Sequence, residues 1–146
     1  MPEERAPYTQ REAKLIFEWI NKFHPKALQW RREQLGPVIT HDEARLMKML
    51  RRWCDAIFFE DDTVYIVEAA WAPDPGKVSQ LELYKQLFPK TPKFVEWKDK
   101  PVKLIFLTTK LDVEVRDLCK ERDIEYVVWL PDWGKEEWKK MIERGY

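Results

Sequence analysis

Two carboxylates near the middle of the chain carry the chemistry. Asp55 lies in RWCDAIFFE and Glu68 in TVYIVEAAW, two segments in which residues alternate with period two on either side of Asp61-Asp62. The alternation places Trp53, Asp55, Ile57 and Phe59 on one face of the first segment, and Cys54, Ala56 and Phe58 on the other. In the second it places Val64, Ile66, Glu68 and Ala70 on one face, and Tyr65, Val67, Ala69 and Trp71 on the other. If Asp61 and Asp62 form a two-residue hairpin loop, Glu60 faces Thr63 and the register sets Asp55 directly opposite Glu68. Asp-Asp is not the Asn-Gly signal for such a turn, and a bulge would shift the register to a diagonal pairing that still leaves the two close. Both faces are otherwise largely apolar, as in a central strand pair covered on both sides. Like charges directly opposite destabilise a strand pair, and buried carboxylates are costly unless they are protonated or bind a cation. A divalent ion resolves the conflict, and hard oxygen ligands select magnesium or manganese over zinc.

The elements that must position this pair can be read along the chain. Residues 9 to 23 place Leu15, Ile16, Trp19, Ile20 and Phe23 at helical spacing, with Thr9 and Glu12 forming a capping box. Glu12 borders the apolar stripe one turn before Ile16, whereas Glu18 points away from it. In residues 25 to 50, KALQWRREQL has the character of a strand, Gly36-Pro37 breaks it, and DEARLMKML reads as a short helix or the lead-in to the next strand. After the hairpin, Asp74 can cap a helix whose first position is Pro75, running through KVSQLELYKQLF to the stop at Pro89. VKLIFLTT is a buried-type strand, LDVEVRDLCKERD a helix, IEYVVWL a strand and GKEEWKKMIERGY a terminal helix. An antiparallel start passing into β-α-β crossovers predicts an α/β fold, a mixed sheet flanked by helices. With 146 residues, 45% of them hydrophobic, and no repeat or linker, residues 1–146 are expected to form one domain.

Asp55, followed 13 positions later by Glu68, Ala69 and Ala70, resembles the PD-(D/E)XK nuclease superfamily, and the element order matches its αβββαβ core. The resemblance covers roughly residues 9 to 130. It implies a restriction-endonuclease-like fold with a C-terminal helix added, in which Asp55, Glu68 and the backbone carbonyl of Ala69 bind a catalytic magnesium or manganese ion. Gln80 and Tyr84, one turn apart, resemble the Q-x-x-x-Y signature of the RecB-like and Holliday-junction-resolvase-like branch, and Glu12 stands where many members carry a further acidic ligand. Ala70 is the departure, because it occupies the position of the family's catalytic lysine. That lysine orients or activates the attacking water and stabilises charge developing on phosphate, so its loss is expected to impair the enzyme. Three explanations stand side by side: an inactivated variant, a silent relative that only binds, or an enzyme whose lysine comes from elsewhere. Lys77 is the nearest substitute.

Composition narrows the alternatives. Lys plus Arg is 26 and Asp plus Glu is 26, so any charged site must arise from local segregation. Residues 53 to 75 contain six acidic residues and no Lys or Arg, whereas the flanks are basic, with Arg31, Arg32, Arg51 and Arg52 on one side and Lys77 and Lys85 on the other. An acidic centre between basic shoulders suits a nucleic-acid backbone, and the nuclease resemblance implies DNA rather than RNA. Trp30 and Trp97, in the basic stretches, could supply stacking surfaces, whereas Trp19, Trp53, Trp71 and Trp129 read as core. Ser79 is the only serine and lies outside any GxSxG, His24 and His41 form no HExxH pair, and four glycines compose no phosphate loop. Serine hydrolases, zincins and flavodoxin-like enzymes are therefore poor candidates. Cys54 and Cys119 read as two buried thiols. The absence of a long apolar run, and a start that lacks a signal peptide's pattern, point to a cytoplasmic protein that does not enter a membrane. Cutting two strands with two sites would call for a homodimer. The rival from another class is a non-catalytic nucleic-acid-binding or assembly module on the same fold.

Overall fold

The computed structural model describes residues 10–37 and 52–145. The chain runs α1 (Gln10–Phe23), β1 (Leu28–Leu35), β2 (Arg52–Glu60), β3 (Thr63–Ala70), α2 (Pro75–Leu87), β4 (Val102–Thr108), α3 (Val113–Glu121), β5 (Ile124–Val128) and α4 (Asp132–Glu143). Two short 3-10 segments, Phe88–Lys90 and Pro92–Trp97, connect α2 to β4. Thr9, His41, Arg51 and the DEARLMKML segment lie outside the described residues.

The five strands form one sheet in the order β1-β2-β3-β4-β5. β1, β2 and β3 are antiparallel neighbours, and β4 and β5 add in parallel through the α2 and α3 crossovers. This is the mixed, helix-flanked α/β sheet expected from the element order.

The β2-β3 hairpin is closed by the two-residue loop, with Glu60 paired to Thr63. Asp61 and Asp62 both take the left-handed backbone, φ 52 and φ 62, as a type I′ turn requires. Aspartate tolerates that region better than most residues, so Asp-Asp serves here where Asn-Gly is the usual signal. The register holds from Glu60↔Thr63 to Ala56↔Val67 without a bulge, which brings Asp55 and Glu68 to adjoining positions where the ladder ends.

Burial follows the alternation. Ile57, Val64, Ile66 and Ala70 pack with Val78, Leu81, Tyr84 and Leu87 of α2 and with Val115 and Cys119 of α3. Ala56, Phe58, Val67, Ala69 and Trp71 pack with Leu15, Ile16, Trp19 and Ile20 of α1, and Trp133, Trp138 and Met141 of α4 complete that side. Cys54 is the exception to the expected faces: it joins the α2 side, at the end of β2 beyond its pairing with β3. Phe23 also departs from the expected stripe, lying half exposed at the last turn of α1.

Trp30 and Trp97 pack on each other and on Phe94, and Phe59 stacks on Trp97 at 4.4 Å, so both tryptophans serve a partly buried cluster inside the molecule. Cys54 and Cys119 are free and buried. Among the described residues no helix is long and apolar enough to cross a membrane.

Candidate functional site

The site forms at the carboxyl end of β3, where the start of β2, the first turn of α1 and the first turn of α2 meet. Asp55 and Glu68 are 1% and 2% exposed. Past Ala56↔Val67 the side chain of Asp55 takes over from the backbone ladder: its Oδ2 accepts from the Ala69 N–H at 2.9 Å. Its Oδ1 accepts from the Arg32 guanidinium at 3.0 Å. Both oxygens of Asp55 are thereby oriented.

Glu68 is held differently. Its Oε2 is buried with no hydrogen-bond partner among the described residues. Burial pushes its carboxyl well above the usual carboxylate range, the charge of Asp55 raises it further, and Lys77 and the Tyr84 hydroxyl act in the opposite direction. A buried acceptor without a partner, in a carboxylate beside a second carboxylate, is a place where a cation would be stabilised.

α2 supplies the groups above the pair. Asp74 caps the helix by accepting from the Gly76 N–H, and Pro75 occupies the first turn, where its missing N–H costs nothing. This start places Lys77 in the first turn, and its Nζ donates to the Ala69 carbonyl at 2.9 Å and lies 3.8 Å from Glu12 Oε1. One turn on, Gln80 leads to Tyr84, whose hydroxyl donates to the Trp53 carbonyl at 2.8 Å with Gln80 Oε1 at 3.5 Å. Burial and the neighbouring Glu68 push the Tyr84 phenol upward, so it remains a hydrogen-bond donor.

Glu12, 8% exposed, accepts from the Trp71 N–H at 3.1 Å. Thr109 donates to the Trp71 carbonyl at 2.6 Å and accepts from Trp138 at 2.8 Å. The end of β3 is thus pinned through both polar groups of one peptide-bearing residue. Among the described residues no group of three His, Cys, Asp or Glu side chains could hold a metal ion. Glu12 faces Lys77 with one oxygen and holds the Trp71 N–H with the other. The donor set that fits a hard divalent ion is Asp55, Glu68 and the Ala69 carbonyl, which is already occupied by an ammonium group.

Asp55, Glu68, Ala69, Lys77, Gln80, Tyr84 and Glu12 lie together at this end of the sheet. Ala70, 2% exposed, lies on the Glu68 side of the sheet in the α2-facing core, with no charged group of its own. The basic residues divide. Arg32 reaches the pair, while Arg31 lies on the α1 side with its guanidinium 4.4 Å from the Phe17 ring. Lys85 is exposed two turns along α2 from Lys77, and Arg52 lies in β2. Lys93 and Lys100, from the basic stretch, bind Glu33 and Asp62.

What the spacing did not reveal is the backbone of Arg32. It adopts φ 56 in the middle of β1, between Arg31↔Ala56 and Glu33↔Cys54, and so stands opposite Asp55. The left-handed region costs a non-glycine residue about 1–2 kcal/mol, and no propensity signal marks an arginine for it.

No family model and no curated protein matches the chain. Among solved structures, it is similar to a repair endonuclease from Pyrococcus abyssi, with a TM-score of 0.54 and 15% identity over 85% of this chain and 49% of that one. It is similar also to EndoMS in an EndoMS–dsDNA complex, with a TM-score of 0.53 and 15% identity over 88% of this chain and 48% of that one. The chain thus spans about half the length of each. The likeness is one of fold, and the mixed sheet with its flanking helices is restriction-endonuclease-like.

Proposed function

We propose that this chain is a metal-dependent nuclease of the PD-(D/E)XK type, in its RecB-like or Holliday-junction-resolvase-like branch, hydrolysing phosphodiester bonds of DNA. The observation that carries the reading is the buried Asp55–Glu68 pair, with an unpartnered Glu68 oxygen and the Lys77 ammonium on the adjoining Ala69 carbonyl. Support comes from the fold, shared with a repair endonuclease and with EndoMS, a protein seen with double-stranded DNA.

Asp55, Glu68 and the Ala69 carbonyl would hold magnesium or manganese. Such an ion, when bound, supplies Lewis-acid polarisation of the phosphoryl oxygen and a more acidic attacking water. The protein's own groups do the rest. Tyr84 and Gln80 shape the wall beside Glu68, and Tyr84 anchors that wall to the β2 backbone through the Trp53 carbonyl. Lys77 brings a positive charge to the carboxyl end of β3, where charge developing on a phosphate needs compensation. In this reading Lys77 takes the part that Ala70 cannot play, and the chain is an active enzyme in place of the impaired one that Ala70 alone implies. The exposed Lys85 would meet the flanking backbone.

The test is cleavage of labelled single-stranded, duplex and branched DNA, and of RNA, with magnesium, manganese or EDTA. The unaltered chain is expected to cut DNA only with metal, and Lys77→Met to lose about 10²-fold or more in rate. Adding Ala70→Lys to Lys77→Met is expected to restore cutting. Cutting by Ala70→Lys alone, with none by the unaltered chain, would make position 70 the disabling change. If no form cuts any substrate and none binds Mn²⁺, the chain is a nucleic-acid-binding module and the catalytic reading is wrong.

A further inference from the structure

Arg32 combines two features that seldom coincide without a reason. Its backbone is left-handed in the middle of a strand, and its side chain, 11% exposed, is committed to a carboxylate that is itself 1% exposed. A buried ion pair is a poor source of stability compared with apolar packing, and here it is combined with an unfavourable backbone conformation at the same residue. Strain of this kind collects where the surrounding structure over-determines a functional geometry. The pair sits at one of the two carboxylates of the site and not at the other: Asp55 has both oxygens directed, by Arg32 and by the Ala69 N–H, whereas Glu68 Oε2 is left open.

We propose that Arg32 is a positioning residue of this site, fixing the Asp55 carboxylate in the orientation in which it receives a divalent cation. The inference rests on the metal reading given above and adds to it an arginine from a different strand, contributed by geometry that no motif describes. Asp55 Oδ1 keeps a second lone pair while it accepts from Arg32, so the guanidinium orients the oxygen without closing it. Partners that hydrogen-bond a metal-ligating carboxylate typically contribute about 10–100-fold to metal affinity.

The sign of the effect separates positioning from simple electrostatics. Removing a positive charge beside a cation site should tighten metal binding if charge alone matters; removing an orienting group should weaken it. Lys77, whose ammonium rests on the Ala69 carbonyl, is the internal contrast, since Lys77→Met frees that carbonyl and should tighten binding. The experiment is calorimetric titration of the full chain with Mn²⁺ alone, beside thermal melts, for Arg32→Gly, Arg32→Met and Arg32→Lys. Glycine accepts the left-handed backbone freely, so Arg32→Gly tests the side chain in a fold relieved of strain. Arg32→Gly and Arg32→Met are expected to bind Mn²⁺ at least tenfold more weakly than the unaltered chain, with Arg32→Lys recovering part of the loss. Equal or tighter binding by the folded Gly and Met variants overturns the inference and leaves the metal site standing. Absence of Mn²⁺ binding by the unaltered chain overturns the metal reading and this inference together.

Discussion

Glu68 is the residue whose energetics are most exposed to measurement. Its carboxyl is raised above the ordinary 4.5 by burial first and by Asp55 second. A group raised on folding contributes stability that is fully present below its unfolded pKa and is lost as pH rises through the folded one. Without metal, stability is therefore expected to fall as pH climbs from about 4.5 through the raised value, because the buried carboxyl beside Asp55 must then ionise inside the protein. Glu68→Gln should flatten that slope and stabilise the metal-free chain by about 1–3 kcal/mol above it. Added Mn²⁺ should flatten the slope of the unaltered chain and leave the variant unmoved. Thermal melts across pH, in EDTA and in Mn²⁺, check both statements. The Asp55–Glu68 pair was legible in the sequence because period-two alternation and a two-residue loop fully determine which residues face each other. Arg32 was legible only as a basic residue, since the backbone twist that turns it onto Asp55 arises from tertiary packing.

At the scale of elements, α2 decides how well the site is assembled. Its cap is one side chain, Asp74, accepting from Gly76 N–H at the turn that also places Lys77. Asp74→Ala is expected to cost about 1 kcal/mol in urea denaturation and to lower Mn²⁺-dependent cleavage by more than that loss of stability explains, through Lys77. The start of α2 was readable because Asp-Pro-Gly is a cap followed by a first-turn proline. Its end was less so: the helix closes at Leu87, and Phe88–Lys90 continues as a 3-10 turn before the chain turns away. The hairpin gives the opposite lesson. Its loop residues were not the favoured ones, yet the register held, because the buried faces on both sides would all be reversed by a one-residue slip.

At the scale of the molecule, equal numbers of acidic and basic residues leave no overall field to gather DNA. In the nuclease reading, binding would come from local charge such as Lys77 and Lys85, so affinity for a non-cleaved duplex, measured in EDTA, is expected to fall with salt along a log–log slope of about −1.8 or steeper, as two or more phosphate contacts require. A flat response would separate this chain from the nucleic-acid reading altogether. The sequence by itself determined the order of elements, the hairpin register and the acidic pair, because each depends on local spacing and on the period of a strand or helix. Only the tertiary structure decided that Glu12 bonds the Trp71 N–H, that Lys77 lies on the Ala69 carbonyl, and that Arg32 lies on Asp55. Those contacts link residues 59, 8 and 23 positions apart. Their geometry depends on how α1, α2 and β1 pack on one end of the sheet, and spacing along the chain does not contain that information.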